Sequence, residues 1–149
     1  MHSLDHTDAV ESAALARRLI AADRDVSARS VAASAGRAAI LLSQHLSQLV
    51  GDTGIKALAH RSIMVASQMF PWLANIGGAA DVEPCTAMRA QMELQRPDVA
   101  VEAFVHVWVT FIGLLGKLIG PRLVENLLRE IWPTQVGNDR VATMVAADA

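Results

Sequence analysis

The sequence predicts an all-α fold, a compact bundle of about five to six helices forming a single domain over residues 1–149. Three observations lead there. Apolar residues recur at helical steps in segments rich in alanine, leucine, methionine, arginine and glutamine, while no run alternates cleanly between glycine-rich or Asn-Gly turns, and tyrosine is absent. Proline falls at the ends of those segments, and Gly51, Gly77-Gly78 and Gly120 mark breaks between them. One helix-glycine-helix pattern occurs twice.

The first helix is expected over Thr7–Ala22, with Asp8 and Glu11 at the positive end of its dipole. A second covers Asp25–Val50, loosened near Ser34-Ala35-Gly36, and Gly51 is placed to end it. The third starts near Thr53 and runs to about Met69, where Phe70-Pro71 forces a break, because proline disfavours helical geometry in the residue before it. Ile76–Asp81 reads as a loop, and Pro84 opens a short fourth helix reaching to about Gln95. The fifth, 98–119, ends at Gly120-Pro121, which opens a sixth ending near Trp132-Pro133. From about residue 134 the pattern weakens into a tail.

Residues 46–58 (LSQLVGDTGIKAL) align with 115–127 (LGKLIGPRLVENL) at an offset of 69, with four identities: Leu46/Leu115, Leu49/Leu118, Gly51/Gly120 and Leu58/Leu127. Val50/Ile119 and Ile55/Val124 match in character. The shared glycine allows a left-handed residue to end one helix and turn into the next. Two such hairpins are expected to pack about a pseudo-twofold axis around a buried central helix, 98–119.

With 149 residues, 52% of them apolar and 19% charged, the chain can bury a core without a metal or disulfide framework, and the disordered and collagen-like classes are excluded. Thirteen basic residues against fifteen acidic ones leave a net charge of −2, too little positive field for a nucleic-acid coat. The arginines of the N-terminal third, from Arg17 to Arg37, have no aromatic residue among them to stack on a base. The most apolar run, Ala103–Gly116, is 14 residues long and interrupted by His106, short of a bilayer span. A lone cysteine and a polar, acidic N-terminus point to the cytoplasm.

On the fifth helix, Phe104, Trp108, Phe111, Leu115 and Leu118 form one apolar stripe, and only Glu102, His106, Thr110, Gly113 and Lys117 make a polar one. Glu102 stands one turn before His106, where a carboxylate can orient the imidazole. His45 is expected to be partly buried among Leu41, Leu42 and Leu49, and His60 to be solvated. His2 and His6 have helical metal spacing in a fraying terminus, and no metal site is expected. Cys85 follows Pro84 near a helix start and is expected to be inert, with no nucleotide, hydrolase or zinc-protease pattern nearby. Ala59-His60-Arg61-Ser62-Ile63 resembles the phosphoacceptor helix of histidine phosphotransfer domains over that one helix. The lysine and glycine that the family places after the histidine are Ile63 and Met64 here, so the resemblance carries no activity over.

With no catalytic constellation in view, the expected function is a non-catalytic regulatory or protein-interaction module. It is expected to be homodimeric, with Met64, Met69, Phe70 and Trp72 as interface residues and an unidentified protein partner. The alternative is a sensor or carrier of a small apolar ligand, haem included, bound between helices near His106, Trp108 and Phe111. No other cofactor is expected.

Overall fold

The computed structural model describes residues 2–21, 27–76 and 83–136, by backbone alone at 2–8, 75–76 and 135–136. Six helices carry the described chain: α1 (His2–Ala21), α2 (Ala28–Val50), α3 (Asp52–Ala66), α4 (Pro84–Met92), α5 (Pro97–Ile119) and α6 (Pro121–Ile131). A 3-10 segment, Pro71–Ile76, follows α3, and one further turn, Pro133–Val136, follows α6. No strand occurs among the described residues. The loop expected after Ile76 and most of the tail lie outside them.

Local chemistry explains the ends. Ser27 caps α2, its hydroxyl accepting from the Ser30 amide at 3.1 Å. Proline occupies the first turn of α4, α5 and α6, where its missing N–H would have had no helical partner. Arg96, before Pro97, is extended at φ −65° and ψ 148°. That requirement stops α4 at Met92 rather than Gln95, and the 93–95 turn closes through tight bonds from the Leu94 amide to Gln91 and the Gln95 amide to Met92. Likewise α3 ends at Ala66, three residues before the expected Met69, its last carbonyl, that of Ala66, accepting from both the Met69 and Phe70 amides ahead of Pro71. Leu73, fully buried, then pins the 3-10 segment to the core.

The two glycine corners share one geometry. Gly51 has φ 82° and ψ 157°, Gly120 φ 95° and ψ 141°. In each the glycine N–H donates to the carbonyl four residues back, Ser47 at 3.0 Å and Gly116 at 2.8 Å. Its own carbonyl then accepts the amide four residues on, Ile55 at 3.0 Å and Val124 at 3.2 Å. This is not the left-handed helical conformation expected from the sequence. It is the extended region at positive φ that essentially only glycine enters.

The repeat reaches well beyond the corners. Helices α2 and α5 have 23 residues each and start 69 positions apart, and six of the eight buried positions of α2 fall on buried positions of α5 at that offset. At the same offset the C-terminal part of α1 corresponds to α4. The packing follows the symmetry: α1 lies against α5 and α4 against α2, so each repeat's first helix covers the other repeat's long one. Helix α3 also packs on α5, as α6 does on α2, and the two long helices touch each other. Leu46 and Leu115, an equivalent pair, are both completely buried.

Helix α5 is the central element, surrounded by α1, α2, α3 and α6. By length and composition it could cross a bilayer, but 44% of its apolar window is buried inside the bundle. A central helix needs an apolar circumference for that reason alone.

Candidate functional site

Where the two repeats differ in side-chain size, the core does not close. Along α5 stand Phe104, Trp108 and Phe111; the equivalent positions of α2 hold Ala35, Ala39 and Leu42. These two sets line one cavity of about 70 Å³, completed by Ile55, Ala59 and Ile63 of α3 and by Cys85, Met88, Arg89 and Met92 of α4. Short side chains on α2 leave the space, and the aromatic ones on α5 fill it only in part. The run Ser34-Ala35-Gly36, expected to loosen α2, is instead buried within an unbroken helix. Gly36 lets Arg89 come down onto the helix: a Cβ there would sit 2.5 Å from Arg89 Nε. Close packing by α4 thus overrides the low helix propensity of the run.

Few polar groups reach this cavity. Trp108 is 4% exposed, and its indole N–H has no hydrogen-bond acceptor. The ring is held by Phe104, with centroids 5.6 Å apart, and edge-on by Trp132 at 5.7 Å. Cys85 has its thiol pKa pushed up to about 12, by burial first and by Glu83 second, against a smaller lowering by Arg89. Both raising effects favour the neutral thiol over the thiolate. No histidine lines the cavity.

Glu83 holds the start of α4, and so the wall that carries Cys85, Met88 and Arg89. Its carboxylate accepts from the Thr86 amide at 2.9 Å, the Cys85 amide at 3.3 Å and the Thr86 hydroxyl at 2.9 Å. Burial alone would raise the Glu83 pKa, but those hydrogen bonds together outweigh it and hold it below the usual value. A depressed carboxylate stabilises the fold above its unfolded pKa and loses that contribution as pH falls through the folded one. Glu83→Gln is expected to lower stability by about 0.3–1 kcal/mol at pH 7, the range for a charge at a helix start. Urea titrations of both proteins should show that gap closing as the pH drops below about 4.

Two residues from Trp108 on α5, His106 faces the opposite way. It lines an open surface groove of about 340 Å³ with Val10, Ala13, Met69, Phe70 and Val109, its ring 6.0 Å from that of Phe70. The three residues expected to share a ligand are thus split, with Trp108 and Phe111 at the cavity and His106 outside it. Glu102 is engaged chiefly by Arg17 and interacts with His106 only through its charge. Both its oxygens accept from Arg17, at 2.9 and 3.0 Å, and those hydrogen bonds hold its pKa below the usual range. Both partners of this pair are half-exposed, so it contributes at most about 1 kcal/mol.

Of the residues expected at an interface, Met64 and Met69 are exposed, together with Val65. Phe70 and Trp72 are half-buried and packed edge to face at 6.2 Å. His45 is exposed rather than partly buried, because it falls on the outer stripe of α2, with Nδ1 2.9 Å from the Leu41 carbonyl. His60 is exposed on α3 while Ile63 points into the core. Among the described residues no three histidine, cysteine or carboxylate side chains gather as a metal site. The side chains of His2 and His6 lie outside the described residues. No protein-family pattern, curated protein or solved structure matches the chain.

Sequence reasoning reaches Trp108 and Phe111, reads Met88 and Met92 only as members of a soft apolar population around the Pro71 break, and misses the cavity roles of Ala35, Ala39 and Arg89. A signal was available. Extending the 69-residue offset into the two long helices sets alanines opposite the aromatic stripe and marks where the core is under-filled.

Proposed function

We propose that this protein is a sensor or carrier of a small molecule, largely apolar but bearing a hydrogen-bond acceptor, bound between α2, α3, α4 and α5. The observation that carries this reading is a buried indole N–H without an acceptor on a residue that lines an apolar cavity. A buried donor left unpaired costs about 1–3 kcal/mol, and a ligand that accepts from it recovers that free energy on binding. The same cavity is too small for haem and has no histidine to ligate iron. The ligand is therefore compact.

A second reading, a cytoplasmic interaction module working as a homodimer, draws support from Met64, Val65 and Met69, which leave an exposed apolar strip at the end of α3. Native mass spectrometry of freshly purified protein separates the two. A retained mass below about 200 Da, lost in an Ala39→Leu variant that fills the cavity, supports the ligand reading. A dimer without added mass, disrupted by Met69→Lys and indifferent to Ala39→Leu, supports the other.

A further inference from the structure

We infer that the ligand is a small uncharged carbonyl compound of about three to five non-hydrogen atoms, its oxygen accepting from the Trp108 indole N–H and its alkyl part lying against Leu42, Ile63 and Met92. This rests on the ligand reading above and adds a functional group, a charge and a size to it.

The functional group follows from what the walls offer. Trp108 contributes a donor that lacks an acceptor, and Cys85 a weak S–H donor. Acceptors are scarce. No aspartate, glutamate, asparagine, glutamine or histidine is among the lining residues, and their one side-chain oxygen is that of half-buried Ser43. Every lining residue lies within α2, α3, α4 or α5, so its carbonyl is already engaged by an amide of the helix or of the turn that ends it. A ligand hydroxyl would satisfy the indole and bring a proton of its own with no acceptor, whereas a carbonyl oxygen accepts and brings none.

The charge follows from the same walls. They are almost wholly apolar, and an ionised group moved into such a place loses far more hydration than one indole N–H returns. Arg89 is the one charged residue of the lining, and its side chain rests on α2: Nε stands 2.5 Å, and Cδ and Cζ 2.7 Å, from where a Cβ on Gly36 would be. That packing commits the side chain to the contact between α2 and α4.

The size follows from the volume. An engineered apolar cavity of about 150 Å³ holds benzene. At about 70 Å³ this one takes a molecule of about half that size, and the flexible side chains of Met88 and Met92 can yield to a slightly larger one.

Butan-2-one, butan-2-ol and propanoate have equal numbers of non-hydrogen atoms and differ in charge and in hydrogen bonding, so they are the probes. Their affinities would be measured by nuclear magnetic resonance titration of the full chain, of Trp108→Phe and of Ala39→Leu, with thermal unfolding to verify that each variant is folded. Butan-2-one is expected to bind the full chain about fivefold or more tighter than butan-2-ol and about tenfold or more tighter than propanoate, a comparison that needs neither variant. Trp108→Phe is expected to weaken butan-2-one by about fivefold or more, and Ala39→Leu to abolish its binding. Butan-2-ol or propanoate binding as tightly as butan-2-one, with Ala39→Leu abolishing both, would overturn the carbonyl assignment and leave the cavity reading standing. If none of the three binds, or if butan-2-one is indifferent to Ala39→Leu, both fall together.

Discussion

Alanine at Gly51 or Gly120 is expected to lower the unfolding free energy by about 1–3 kcal/mol at each site, the cost of forcing a side chain into a glycine-only region of backbone space. Space is not the issue, since a Cβ at either position would meet nothing within 4 Å. The penalty is conformational: φ is 82° at one corner and 95° at the other, with ψ extended at 157° and 141°. Asparagine sharpens the test. It tolerates the left-handed helical region, so at an ordinary helix-ending glycine it would recover part of the loss. At these two corners Gly51→Asn and Gly120→Asn are expected to be as damaging as alanine. Chemical denaturation of the four single variants, compared at equal m-value, would measure it. Losses near zero for either alanine variant would mean that the corner does not need its positive φ.

Leu46→Ala and Leu115→Ala are expected to be more costly still, about 2–5 kcal/mol each, as for large-to-small changes at buried sites that cannot collapse. Both leucines are completely buried, one turn before the glycine corner of their own repeat. Equivalent environments should give equal losses to within about 1 kcal/mol. Against a typical total stability of about 5–15 kcal/mol, the double variant is expected to be unfolded or nearly so at 25 °C. Circular dichroism and urea titration would show it. A large inequality between the single variants would mean that the symmetry is one of backbone and not of packing.

Much of the fold was legible because glycine and proline act locally. Gly51, Pro84, Pro97, Gly120 and Pro121 mark helix ends in the sequence and in the structure alike, and the repeat Leu46–Leu58 over Leu115–Leu127 already outlined the symmetric core. What was not legible depends on partners from elsewhere in the chain. Propensity reads Ser34-Ala35-Gly36 as weak helix, whereas α4 packed across it makes it one of the most buried stretches of α2. The last turn of α3 was lost to Pro71 earlier than pattern suggested, because the tight turn at 67–70 draws off its carbonyls.

The site was half legible for the same reason. An aromatic stripe on α5 is visible from spacing alone, but whether it closes against its neighbours depends on what stands opposite, and that is decided by α2 and α4. His106 was grouped with Trp108 by proximity in sequence, although two positions along a helix rotate a side chain to nearly the opposite face. Arg89 gave no sequence signal, since its role comes from leaning on Gly36 across an interhelical contact.

The central claim, that the cavity beside Trp108 receives a ligand with a hydrogen-bond acceptor, can be tested directly by nuclear magnetic resonance. The chain has three tryptophans and hence three indole N–H signals, and Trp108→Phe identifies the one that matters. Titration with butan-2-one, which carries an acceptor, is expected to move the Trp108 signal downfield in a saturable way. Trp72, which does not line the cavity, should stay still. A Trp108 signal unmoved by butan-2-one at every concentration that leaves the protein folded would contradict the claim.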